Sequence, residues 1–320
     1  MFTIYGAANY QKGNRKLFIA LGNFDGLHIA HRRIISRTCS LARQAGDGSA
    51  VFLFDPHPVT RLYPGNSFLL LSSVKMRSEI LEKLGIDYLI IEKFTEEIAG
   101  LSPFRFVTDY LIQCFSVAGV VVGFDYTFGH RGRGTAAHLL KWGEKFNFSV
   151  EVVPPVIIGD EVVSSSLIRE LLARGEVKEA ARYLGSYFKV SGKVIRGEGR
   201  GRTLGFPTAN LQIGDGLLLP EKGVYLCSTV WRDKKYFALT NIGNKPTFYR
   251  SETMFVEVFL LDFTGDLYGE ELTVEFLHRI RKEIAFPEAC SLTEQIRIDL
   301  KKARELIRKE YASMADNTCL

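Results

Sequence analysis

"LFIALGNFDGLHIAH", residues 17–31, decides how the first half of this chain is read. Its first five residues (17–21) are apolar without alternation, the pattern of a strand buried on both faces. Gly22, Asn23, Asp25 and Gly26 then form a turn, and His28 and His31 stand where a helical pattern begins. Strand, tight turn and helix start make the repeating unit of open parallel sheets. A helix N-terminus there presents free N–H groups and a positive dipole end, which favour anions. For the two histidines this chemistry ranks phosphate binding first, packing second and metal third. The segment has no carboxylate at the spacing a zinc protease needs. Two polar rings behind a Gly/Asp turn are also poorly placed for burial.

Outward from that unit, further apolar runs fall at 50–54, 88–92, 117–124 and 149–153. Helical patterns fall between them, at 29–45, 74–84, 103–115 and 135–147. The alternation predicts an α/β domain with a doubly wound parallel sheet, which binds ligands outside the carboxyl ends of its strands. "GNFDG", "FDPHP" (54–58) and "GFDYTFGHRGRG" (123–134) all follow strands and belong on that edge. After 186 the rhythm changes. Strand patterns at 188–195, 223–231, 236–243, 255–263 and 272–277, with turns between, predict a small antiparallel β-barrel. A terminal helix follows, with "SLTE" (291–294) as a capping box. Leu292, Ile296, Leu300, Ala303, Ile307 and Tyr311 form its apolar stripe, read as packing on the barrel. Residues 166–185 read as two short helices broken at Gly175, and "ADNTCL" as a frayed tail. The domains are therefore set at 1–185 and 186–320.

A chain of 320 residues holds two domains with proper cores. The net charge of +5 suits anionic small molecules and is too weak to argue for nucleic acid. The five cysteines are scattered with no C-x-x-C pair, against a disulfide framework or structural zinc and in keeping with a cytoplasmic location. The N-terminus carries no apolar signal region, and no apolar run is long enough to span a bilayer, so no membrane partner is expected.

"GNFDGLHIAH" resembles the H-x-G-H signature of the nucleotidylyltransferase superfamily, in the form found in bacterial bifunctional riboflavin kinase/FAD synthetases. "FDPHP", "GFDYTFGHRGRG" and "SSSLIRELL" (164–172) are similar to segments of the same family. The resemblance implies adenylyl transfer from ATP to FMN, with His28, His31, Ser165 and Arg169 on the phosphates and Mg²⁺ assisting. Ser164, Ser165 and Ser166 offer hydroxyl and backbone donors, and Arg169 a planar fork for phosphate oxygens. Gly22, Asn23 and Asp25 would shape the loop and meet nucleotide or metal. Phe54, His57, Pro58, Phe124, Asp125 and Phe128 would line the flavin, with core packing an equal reading for Phe128. The chain departs from the family at Ala30, where a glycine lets adenine approach the helix; Ser166 and Leu167 are milder departures.

"GRGRTLGFPTAN" (199–210) is a Gly-rich basic loop without the P-loop lysine pattern. Thr208 and Asn210, two apart on an extended segment, point the same way and can hold a Mg²⁺ that keeps most of its waters. A polar turn is the plainer reading of such a pair. With "LPEKGVY" (219–225), "NIGNKPTF" (241–248), "VEVFLLDF" (256–263) and "DLYGEELTVEFLHRIRKE" (266–283), the stretch resembles the riboflavin kinase module in order. The resemblance implies Glu257 as base, Thr208 and Asn210 as magnesium and phosphate ligands, and Gly197, Gly199, Arg200, Gly201 and Arg202 closing over ATP. Arg281 and Phe286 would border the flavin. Phe259 stands where the family often has His. The implied function is riboflavin to FMN to FAD, with ATP as co-substrate, in a monomer or weak homo-oligomer. The alternatives are a kinase whose N-terminal half is weakened at Ala30, and a flavin-binding regulatory protein.

Overall fold

The structure is a computed structural model that describes residues 1–63, 65, 68–197, 201, 205–244, 254–286 and 288–315. The chain divides into two compact units, Met1–Ser165 and Ser166–Leu320.

The first unit is built on six parallel strands: β1 (Phe2–Tyr5), β2 (Leu17–Leu21), β3 (Gly48–Asp55), β4 (Tyr88–Lys93), β5 (Val117–Gly123) and β6 (Ser149–Val153). Their order across the sheet is β1-β4-β3-β2-β5-β6. All five residues of β2 are buried, as expected of a central strand covered on both faces. One apolar cluster, with Ile19, Phe52, Phe106 and Val120, covers one face; another, with Ala20, Ile35, Leu89 and Val121, covers the other. From β2 the chain winds through β3 and β4 and then crosses to β5 on the other side of β2. The switch point therefore lies between β2 and β5, flanked by the loops after β2, β3 and β5. The helix Ile29–Ala45 matches the expected 29–45. The 103–115 pattern divides into a short α-helix, Pro103–Phe106, and a π-helical Val107–Cys114.

The second unit is a closed six-stranded barrel of β7 (Phe188–Ile195), β8 (Ala209–Ile213), β9 (Gly223–Trp231), β10 (Lys234–Asn244), β11 (Met254–Leu260) and β12 (Glu271–Lys282). They run antiparallel in the order β7-β8-β11-β10-β9-β12. Five matched an expected strand; β8, whose first residues were read as a short extended piece of a Gly-rich basic loop, closes the barrel. Ser165–Ala173 and Val177–Leu184 are helices separated at Gly175, which takes a positive φ of 74°. The second packs on β7 and β12.

The terminal helix is Ala289–Glu310 and starts two residues before the expected cap. Ser291 lies inside its first turn, with its hydroxyl donating back to the Glu288 carbonyl at 2.7 Å, so the expected capping box is not formed. Ala303 and Tyr311 are buried against Val224, Leu226 and Leu277, with Leu300 and Ile307 packed alongside. The stripe from Leu300 onward covers the barrel wall. The "ADNTCL" tail, apart from Ala315, lies outside the described residues.

Candidate active sites

The loop after β2 is held in an unusual shape. Phe24, Gly26 and Leu27 have φ of 50°, 81° and 43°, in the left-handed region that a bulky residue enters only when its surroundings over-determine it. Here burial does so: Phe24 and Leu27 are both buried. His28, buried against the expectation for a polar ring behind this turn, then caps the Ile29–Ala45 helix, its Nδ1 accepting from the His31 amide at 3.3 Å. In the neutral ring this leaves the proton, and hence the donor, on Nε2. The His28 and His31 rings stack with centroids 3.6 Å apart and planes 17° apart. Burial, with the charges of His28 and Arg77, pushes the His31 pKa well below the usual histidine range. Its Nδ1 is buried without a partner among the described residues.

Asp25 is buried. Its carboxylate accepts from the Leu71 amide at 3.0 Å and from the Ser72 amide at 3.1 Å, so it shapes the loop. The Asn23 carbonyl accepts from Arg77 Nη1 at 2.8 Å. Ser165, first residue of its helix, donates from Oγ to the Asp25 carbonyl at 2.9 Å. Arg169 lies one turn further along that helix and is half-buried; Ser164 is half-buried and Ser166 exposed. Gly22 packs under the Phe24 ring, which an added Cβ would meet at 3.0 Å. Ala30 is half-buried in the first helical turn.

The expected flavin residues have different environments. After β3, His57 is buried, caps the short helix Pro58–Leu62 and lies 4.8 Å from the Phe68 ring. Pro58 is the first residue of that helix, and Phe54 packs on Phe52 and Phe94. After β5, Phe124 is 49% exposed and Asp125 is exposed. Phe128 is buried against Phe106, Tyr126 and Trp142, the core placement of its two readings.

In the barrel, register does the assembling. Asn210 on β8 opposes Glu257 on β11, and Glu257 opposes Asn241 on β10. The row continues through Val224 on β9 to Arg281 on β12. Directly opposed residues share a face of the sheet. Val256 and Val258 on either side of Glu257 are buried, so the Glu257 face is the outer wall. Gly197 lies over Asn210, where an added Cβ would fall 2.1 Å from Nδ2. An added Cβ on Gly201 would fall 3.0 Å from Thr208 Oγ1, and its carbonyl accepts from the Phe206 amide at 2.8 Å. Gly197 and Gly201 thus lie against Asn210 and Thr208, whereas Gly205 of the same loop has nothing within 4 Å of an added Cβ. Gly199, Arg200 and Arg202 lie outside the described residues. Arg281 Nε donates to both oxygens of buried Asp299, at 3.1 and 2.8 Å, and its guanidinium lies 5.6 Å from the centre of the Phe286 ring.

Ser72, Arg77, Asn241 and Asp299 were not among the expected site residues. Asn241 lies in the quoted "NIGNKPTF" and was findable once a strand register was drawn. The other three carry no motif. Among the described residues no group of three or more His, Cys, Asp or Glu side chains is arranged to hold a metal.

Comparison with known proteins finds two family matches along the chain. A family model described as FAD synthetase matches residues 10–167, and one described as riboflavin kinase matches 184–307. The bifunctional riboflavin kinase/FMN adenylyltransferase of Listeria monocytogenes is 34% identical over 292 residues, 91% of this chain and 92% of its own. That of Bacillus subtilis is 36% identical over 291 residues, 90% of this chain and 92% of its own. A crystal structure described as a macrolide-efflux protein from Streptococcus pneumoniae has a TM-score of 0.86 at 32% identity, covering 95% of this chain and 99% of that one. That name is said of that protein; among the described residues no helix is long and apolar enough to cross a membrane.

Proposed function

We propose residue roles for two sites from one premise: the chain belongs to the bifunctional riboflavin kinase/FMN adenylyltransferase family. It is a transferase that phosphorylates riboflavin to FMN and adenylylates FMN to FAD, with ATP as co-substrate. We divide the activities between residues 1–185 and 186–320. We place the enzyme in the cytoplasm as a monomer or weak homo-oligomer without nucleic-acid or membrane partners.

The row Asn210–Glu257–Asn241 carries the kinase assignment. Glu257 takes the proton from the riboflavin 5′-hydroxyl as that oxygen attacks the γ-phosphorus of ATP, and ADP leaves. Thr208 and Asn210 supply hard oxygen donors packed under Gly201 and Gly197, a set that suits Mg²⁺ with most of its waters. When bound there, the ion supplies charge neutralisation on the phosphates. Arg281 and Phe286 border the flavin.

The stacked histidines carry the adenylylation assignment. An FMN phosphate oxygen, already an anion, attacks the α-phosphorus of ATP and pyrophosphate leaves, so no strong base is required. Catalysis is positioning and charge stabilisation. His28 offers Nε2–H at the helix start, and Ser165 and Arg169 form the second clamp. Phe124 and Asp125 are the solvent-facing flavin contacts, and Phe54, His57 and Pro58 shape the neighbouring loop.

The test is chromatography of products from purified protein with Mg-ATP and either riboflavin or FMN. FMN and FAD both accumulate. FMN from riboflavin without FAD from added FMN would leave the kinase alone and favour the reading that Ala30 weakens the other half.

A further inference from the structure

Arg77 is the largest side chain that the described fold buries completely, at 1% exposure. It lies on the helix Val74–Lys83 and donates from Nη1 to the Asn23 carbonyl. The residues just before this helix hold the same loop at two further points. The Leu71 and Ser72 amides donate to the Asp25 carboxylate, and Ser72 Oγ accepts from the Gly26 amide at 2.9 Å. Ser73 caps the helix, its Oγ accepting from the Met76 amide at 3.2 Å, which fixes Ser72 relative to Arg77.

Burying a guanidinium is costly. Burial pushes the Arg77 pKa down, against the opposing charges of Asp25 and Asp55, and its Nε has no partner among the described residues. A helix that only needed packing would place a leucine or methionine there. The charge instead meets the one stretch of the sheet edge where Phe24, Gly26 and Leu27 are all left-handed. We propose that Ser72 and Arg77 are positioning residues for adenylyl transfer: together they hold the 22–27 loop in the strained shape that presents His28 and His31 to the ATP phosphates. This rests on reading that loop as the phosphate site.

The full chain contains its own control, because riboflavin phosphorylation is assigned to the other unit. Arg77→Met, Arg77→Lys, Ser72→Ala and His31→Ala are assayed for both reactions, with KM for ATP and for FMN measured separately. Arg77→Met is expected to lower kcat/KM for FAD formation about 100-fold, the scale of a small misplacement of a reacting group, with KM for ATP rising and KM for FMN and riboflavin phosphorylation unchanged. Arg77→Lys, which keeps a buried cation able to reach a carbonyl, recovers much of the loss. Ser72→Ala shows a smaller change of the same kind, about fivefold, the worth of one net hydrogen bond. Should Arg77→Met not fold, the lysine and Ser72 variants carry the same KM test. Parental KM for ATP in Ser72→Ala and Arg77→Met, with His31→Ala inactive in FAD formation, overturns the brace alone. Full FAD formation by His31→Ala overturns the reading of the loop, and the brace with it.

Discussion

Asn210 and Glu257 are directly opposed partners on neighbouring antiparallel strands, with Gly197 lying closely over Asn210. The assigned base and the assigned metal and phosphate ligand are thus fixed relative to each other by the barrel's backbone ladder. Sites built on strands hold their geometry more tightly than sites built on loops.

Glu257→Gln keeps the shape of the base and removes its proton affinity. FMN formation falls by about 100- to 10,000-fold, the usual contribution of a general base. FAD formation from added FMN stays at the parental rate. Product chromatography separates the two; riboflavin phosphorylation at the parental rate would place the base elsewhere.

Gly197→Ala puts a Cβ 2.1 Å from Asn210 Nδ2 and 2.7 Å from its Cγ, so the whole amide group has to turn aside. The fold survives and Asn210 is displaced. Riboflavin phosphorylation drops and requires more Mg²⁺ for half-maximal rate, while the thermal midpoint moves little. A fall in stability with unchanged Mg²⁺ dependence would mean that Asn210 is not a ligand.

Arg281 and Asp299 form an ion pair with side-chain exposures of 13% and 2%, and Gln295 Nε2 also donates to Asp299, at 3.0 Å. Removing one partner of a buried pair strands the other, at a cost of about 3–5 kcal/mol. Asp299→Ala is expected to lose that much stability in urea unfolding of the barrel. Replacing both residues by apolar ones of similar volume recovers part of the loss, whereas no recovery would mean that Asp299 stabilises through other contacts.

The sheet was legible because its central strands are buried on both faces, and continuous apolar runs such as 17–21 report that directly. β1 was not, because it is an edge strand with Phe2 71% exposed, and it lacks the two-faced pattern. β8 was missed because its first residues, Ala209 and Asn210, end a Gly-rich basic loop and read there only as a short extended segment; they become a barrel strand through their pairing with neighbouring strands. Ser291 reads as a cap, but Ala289 and Cys290 already continue the helix to Glu288. Of the site proposed for adenylylation, the loop and histidines are visible from Gly, Asp and His spacing. Arg77 is invisible, because an arginine in a helical pattern defaults to solvent and only tertiary structure shows it buried.

His31 gives stability a pH dependence. The unfolded chain protonates this ring near pH 6.5, while the folded chain, with burial and the charges of His28 and Arg77 acting on it, resists until well below. Unfolding therefore takes up a proton below about pH 6.5. This contribution is fully present above that pH and is lost as pH falls toward the folded value. His31→Gln removes it, so the difference in urea midpoint between parent and variant shrinks on acidification from pH 7.5 to 5.5. A constant difference would mean that His31 protonates freely in the fold.

Ala30 lies between the two histidines, in the first turn of the helix that His28 caps. Replacing it with glycine has two separable effects. The backbone gains freedom in the unfolded chain, which costs about 1 kcal/mol in a helix. The Cβ between the histidines is removed, which lets the nucleotide approach the helix more closely. Ala30→Gly is therefore expected to lower the thermal midpoint slightly while lowering KM for ATP in FAD formation, with KM for ATP in riboflavin phosphorylation unchanged. The two ATP constants within one chain make the comparison internal. A lowered midpoint with both constants at parental values would mean that the Ala30 methyl does not face the nucleotide, and that a full-strength adenylylation site tolerates alanine there.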